Sequence, residues 1–139
     1  MAVLDELATH LQTAGVGIIG TSLFKGGIPA DAPLVAIQDD LVALVEIPGL
    51  PPVHVHSAVQ ASFENPVCQI LVRGQPYGYA GARAKAQAAF VALDGLSNVD
   101  LNGIRYLWIQ SLQSPFFLRT DELSRPILAF SVRCAKAIT

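Results

Sequence analysis

The sequence predicts an α+β fold: a mostly antiparallel β-sheet, two α-helices packed on one face, and a C-terminal β-hairpin followed by a returning strand. Three observations predict it. Two segments carry apolar residues at helical spacing, and several short β-like runs separate them in place of a strict β-α-β alternation. Asn102-Gly103 stands between two alternating segments, the strongest short hairpin signal. The chain then closes on a long strand-like run, Pro126–Ala137.

Each element has a local reason. Val3, Leu4, Leu7, Ala8 and Leu11 share one helical stripe over residues 3–14, and Asp5 and Glu6 sit in the first turn, where acidic side chains complement the helix dipole. Gly15 suits the residue after a helix end. Thr21–Lys25 reads as a strand halted by Gly26, Gly27 and Pro29, Leu34–Gln38 as a second, and Val42–Ile47 as a third. Pro48, Gly49, Pro51 and Pro52 then predict a loop before alternation resumes over Val53–Ser57. Val67–Arg73 is continuous enough for a central strand ended by Gly74 and Pro76. From Tyr79 to Leu93 the helix formers Ala, Arg, Lys and Gln dominate, with Ala82, Ala86, Ala89, Phe90 and Leu93 on the buried stripe and Arg83, Lys85 and Gln87 expected toward solvent. Asn98–Leu101 and Ile104–Leu112 form the hairpin arms. Leu112–Ser124 is expected to be a loop containing Pro115 and the Phe116-Phe117 pair.

At 139 residues the chain suits one domain spanning 1–139. Apolar residues make up 52% and charged residues only 14%, against roughly 25% charged in ordinary domains. A monomer of this size would leave much of that apolar surface exposed, so subunit interfaces are expected. With 9 basic and 11 acidic side chains and no basic run, the chain lacks the footprint of a dedicated nucleic-acid binder. No apolar stretch approaches the roughly 20 residues that cross a bilayer, and the acidic start is unlike a secretory signal, so a cytoplasmic setting with Cys68 and Cys134 as buried thiols is expected.

No catalytic, cofactor or metal site is expected. Gly15-Val16-Gly17-Ile18-Ile19-Gly20 matches G-x-G-x-x-G, with Asp39 or Asp40 about 20 residues on, but a dinucleotide site needs a strand before the motif and a helix after it. Here a helix precedes it and Gly26, Gly27 and Pro29 follow. His54 and His56 could share a metal from one face of a strand, yet no second pair at ligand spacing accompanies them. No motif joins a nucleophile to a histidine and a carboxylate, and the pairs Asp5-Glu6, Asp39-Asp40 and Asp121-Glu122 mark turns and helix starts. Phe116-Phe117-Leu118, followed by Arg119, Asp121 and Glu122, reads either as core packing or as an apolar anchor with a polar rim.

The arrangement resembles the tail terminator proteins of long-tailed bacteriophages, also described as tail completion or minor capsid proteins. The resemblance rests on Pro66–Gly74, a central strand ending in arginine and leading through a turn with Tyr77 and Tyr79 into the alanine-rich helix. It rests also on Gln110–Pro115 with Asp121-Glu122 and Arg125, and on element order over residues 1–139. Phe116-Phe117 and His54-Val55-His56 depart from the family pattern. The resemblance implies a structural virion protein, assembled in the host cytoplasm, that forms a hexameric ring on the head-proximal end of the tail tube, stops tube polymerisation and joins the tail to the head connector. The tail tube protein and the head-connector protein are then its partners, genome DNA passes through the ring without specific binding, and no catalysis is implied. The expected contact residues are Phe116, Phe117, Leu118, Arg119, Asp121 and Glu122, together with Arg73 and Tyr77 from the strand end and turn. The alternatives are a head-completion protein on the portal side, and a small metal-binding domain or enzyme using His54 and His56.

Overall fold

A computed structural model describes residues 3–29, 37–53 and 63–137, with the side chains of 50–53 excepted. In chain order the elements are α1 (Val3–Thr13), β1 (Leu23–Lys25), β2 (Leu41–Val53), β3 (Phe63–Arg73), α2 (Tyr79–Leu93), β4 (Leu96–Leu101), β5 (Ile104–Ser111), β6 (Phe116–Thr120) and β7 (Pro126–Ala137). The sheet order is β1-β2-β3-β7-β5-β4, with β6 also paired to β7. Every pairing is antiparallel except that of β1 with β2. The central strand β7 meets β3 along one edge. On its other edge β5 and β6 lie end to end, β6 against Pro126–Ala129 and β5 against Val132–Lys136.

Both helices bury their stripes on the same face of this sheet. Val3, Leu7, Ala8 and Leu11 of α1 and Ala82, Ala86, Ala89 and Leu93 of α2 share one core with Val42, Leu44, Ile70, Val72, Leu128, Phe130 and Val132. Small residues on α2 bring it close to the strands, and Phe90 packs edge-to-face on Phe130 with ring centroids 5.8 Å apart. At the start of α2 the approach is tighter still: a Cβ on Gly74 would lie 2.8 Å from Ala82 Cβ and 2.9 Å from the Gly78 carbonyl. Asn102 and Gly103 adopt φ 51° and 82°, the left-handed pair that a two-residue hairpin requires.

The helices, the β4–β5 hairpin and β7 follow the sequence expectation. Other segments do not. The proline-rich stretch after Ile47 is the continuation of β2, which pairs with β3 through Leu50 and Val53 with register shifts between. Beyond Leu44 no described strand pairs with the outer edge of β2, so the missing proline N–H groups cost little there, and the bulges absorb the geometry. Gly49 has no side chain where the Asn65 carbonyl presses against it. The second difference is the expected loop 112–124, whose centre is β6. All five residues of β6 are exposed, so no in-out alternation marks it in the sequence.

α2 also faces solvent differently from expectation. Gln87 is exposed, but Arg83 and Lys85 are half-buried at the flanks, and the outward ridge is Ala80, Ala84, Ala88 and Val91. Of the expected strand Leu34–Gln38, residues 34–36 lie outside the described residues, and Ile37 and Gln38 are not in a strand. The continuation Val53–Ser57, His54 and His56 included, lies outside them beyond Val53.

Candidate functional site

The G-x-G-x-x-G segment is a tight connection from α1 to β1. The Ile18 carbonyl accepts hydrogen bonds from the N–H groups of Thr21, Ser22 and Leu23, and β1 follows where a nucleotide site would need a helix. Cys68 and Cys134 are free and fully buried. Burial, with the nearby Glu46 charge, pushes the Cys68 thiol up to about 12, and burial raises Cys134 as well, so both stay protonated and poorly nucleophilic. Among the described residues no cluster of three or more His, Cys, Asp or Glu side chains is placed to hold a metal.

What the fold does gather at the surface is aromatic. β6 presents Phe116 and Phe117, the turn before α2 presents Tyr77, and the first residue of α2 is Tyr79. Tyr77 is 88% exposed and held at φ 59°, while Phe117 and Tyr79 are each 49% exposed. The Tyr79 and Phe117 rings meet edge-on at 6.3 Å. Tyr77, Tyr79 and Phe117, with Thr120, Ser124 and Pro126, line an open groove of about 310 Å³. Leu118 and Leu123, on the strand and at the hairpin tip, are also exposed, at 42% and 55%.

Hydrogen bonds hold these segments in place. The Tyr77 N–H donates to the Ser124 carbonyl and the Gly74 N–H to that of Pro126, both at 2.9 Å, which ties the turn before α2 to the β6–β7 hairpin. Arg83 Nη1 donates to the Pro115 carbonyl at the entry to β6. The hairpin tip is organised by Asp121, whose carboxylate accepts the N–H groups of Leu123 and Arg125 and the Arg125 Nε. Arg125, only 4% exposed, also reaches Asp39 with Nη1 at 3.0 Å. Burial alone would raise Asp121, but the donors from Arg125 and Leu123 outweigh it and hold the carboxyl below its ordinary value.

Six of the expected contact residues therefore occupy one continuous strand and hairpin tip, and Tyr77 stands beside them. Phe116, Phe117, Leu118, Arg119 and Glu122 are exposed, and Asp121 is partly buried in the turn. Arg73 is placed differently: it is 3% exposed, and its Nε and Nη2 donate to the carbonyls of Asp39 and Gln38 at 3.0 Å. It braces the segment that Arg125 grips and offers no surface of its own. Sequence reasoning does not single out Ser124, since only the hairpin brings it against Tyr77.

A rigid apolar patch without catalytic groups is suited to docking against another protein. No curated protein sequence matches the chain. Among solved structures, the chain is similar to one described as the virion of a native gene transfer agent particle, with a TM-score of 0.66 and 18% identity over 99% of this chain and 96% of that one. That likeness establishes a shared fold. The family model described as bacteriophage tail terminator protein matches residues 10–138, nearly the whole sequence. The chain belongs to the bacteriophage tail terminator family, whose members are structural proteins of the phage tail.

Proposed function

We propose that this chain forms a ring, hexameric in its closed state, at the head-proximal end of the tail tube, where it stops tube polymerisation and joins the tail to the head connector. The observation that carries this reading is the aromatic patch of Tyr77, Tyr79 and Phe117 on a hydrogen-bonded frame, in a chain of the tail terminator family. Frame and patch together give a docking surface that needs little ordering on binding, which favours assembly from identical parts. The scarcity of charge fits the same reading, because a closed ring covers apolar faces that a lone protomer exposes. The chain's net charge of -2 suits a channel that lets DNA pass without holding it.

The test is native mass by light scattering, with and without purified tail tubes, together with negative-stain images. A mass of six protomers and ring-shaped particles on tube ends are expected. Replacing Phe116 and Phe117 together by serine is expected to leave the circular dichroism spectrum unchanged and to abolish attachment; unchanged assembly would overturn the role of these two residues. Failure of the wild type to bind tubes, with binding to portal-side complexes instead, assigns the chain to the neck and overturns the tail-end placement.

A further inference from the structure

The sheet face opposite the helices carries a cation that no described residue answers. Arg133 lies in β7 between Val67 of β3 and Gln110 of β5, and its guanidinium stacks over the Trp108 ring 5.0 Å from the centroid. Its Nε is buried and has no acceptor. Among the described residues no hydrogen bond or ion pair forms at its terminal nitrogens, which leaves them open to solvent. Alternation places Gln69, Ser131 and Ala135 on the same face, all neutral. Of the other cations there, Arg73 already donates to two carbonyls, and Arg119 of β6, opposite Ile127, is exposed. The guanidinium is half-buried and stacked on an indole, and a carboxylate arriving end-on replaces water at its open terminal nitrogens with two hydrogen bonds. Tryptophan and arginine together are also the residues that dominate protein interfaces.

We propose that Arg133, seated on Trp108, receives the carboxylate of Glu122 from a second copy of this chain. This rests on the self-assembly proposed above and names one of its contacts. The acidic side chains at 5, 39, 64, 100 and 121 lie within ion-pair distance of a cation. Glu6 is buried, and those at 40 and 94 accept hydrogen bonds. Glu46 and Glu122 remain among the described residues. Glu46 lies in the body of β2 opposite Cys68, whereas Glu122 stands at a hairpin tip beside the exposed Leu123, so it can enter a partner's face with apolar surface around it. One chain cannot make this contact with itself: Arg133 is seven residues into β7, about 23 Å along an extended strand, and Glu122 lies beyond the strand's start. Tip to sheet face is a contact between two unlike patches, and such contacts propagate around a ring.

Trp108 is the only tryptophan, so its emission reports on this face. With wild-type protein on tube ends, acrylamide quenching of Trp108 is expected to fall at least twofold relative to the free chain. Arg133→Glu and Glu122→Arg are each expected to weaken assembly about tenfold or more, and the double reversal to restore both assembly and Trp108 protection. Arg133→Gln, a milder change, keeps the test valid if Arg133→Glu fails to fold, and is expected to weaken assembly with an unchanged melting curve. Loss on Arg133→Gln without loss on Glu122→Arg, or no rescue in the double variant, overturns the pairing. Protection of Trp108 by duplex DNA alone overturns it in favour of a phosphate. A wild type that never self-associates, with or without tubes, defeats the assembly reading itself and is recognised before any variant is made.

Discussion

Glu6 and Lys136 stand 130 residues apart in sequence and meet at 2.6 Å, with side chains 0% and 6% exposed. The same Glu6 oxygen accepts the Tyr106 hydroxyl at 2.6 Å, so one carboxylate joins α1, β5 and β7 inside the protein. The pair is buried, and removing Lys136 leaves the Glu6 carboxylate charged without its counter-ion.

Lys136→Met is therefore expected to lower stability by about 3–5 kcal/mol. The triple change Glu6→Leu, Tyr106→Phe and Lys136→Met removes all three polar groups together and should lie within about 2 kcal/mol of the wild type, on either side. Urea denaturation midpoints at constant slope decide it. Equal loss in the single and triple variants would show that packing, and not the stranded charge, sets the cost.

The hairpin tip should weaken in acid. Asp121 titrates below its ordinary value of 3.8 in the folded chain, so its contribution is complete above that pH and disappears as pH falls through the lowered folded value. Asp121→Asn is expected to lose stability near neutrality and to flatten the acid side of the melting profile below about pH 4. Thermal melts between pH 2.5 and 7 test the sign, and a parallel shift at all pH values would contradict it.

Tyr77 holds a left-handed backbone that favours glycine. Tyr77→Gly is expected to leave stability unchanged or raise it by up to about 1 kcal/mol, while tube attachment falls, because an 88% exposed ring contributes little to folding. A large loss of melting temperature would mean that the ring packs on the fold and is not held for a partner.

Gly74→Ala should be costly, by about 1–3 kcal/mol, because the new methyl meets Gly78 backbone and Ala82 at 2.8–2.9 Å. Calorimetry of the single variant checks it. An unchanged melting temperature would show that the start of α2 can move away from β3.

Thiol reagents should distinguish folded from unfolded chain sharply. With Cys68 raised to about 12 and Cys134 raised too, both thiols are expected to react slowly at pH 8 and rapidly in denaturant. Fast native labelling would show that this core opens locally.

Where burial or turn chemistry repeats along the chain, the sequence is legible. The α2 stripe Ala82, Ala86, Ala89 and Leu93 and the Asn102-Gly103 turn each carry their own local signal, and the structure places them as read. β2 beyond Ile47 and β6 are not legible for the same physical reason: their strand character comes from a neighbour's backbone. Prolines hide the first, and exposure on both faces hides the second. The candidate site divides likewise. Phe116, Phe117 and Leu118 stand out as an apolar cluster in a polar setting, but Arg73, which looks like a surface contact at a strand end, is drawn inward by the carbonyls of Gln38 and Asp39.

By itself the amino-acid sequence determined the α+β class, both helices, the C-terminal hairpin and strand, and the excess of apolar over charged side chains that calls for partners. Those properties follow from local propensity, periodicity and composition, which need no knowledge of distant contacts. Only the tertiary structure decided that Tyr77 and Phe117 line one groove, that Glu6 answers Lys136, and that Arg133 is left on Trp108 without an anion among the described residues. Such pairings depend on which strands adjoin β7, and long-range strand order is set by the burial of the whole core and leaves no trace in any single segment.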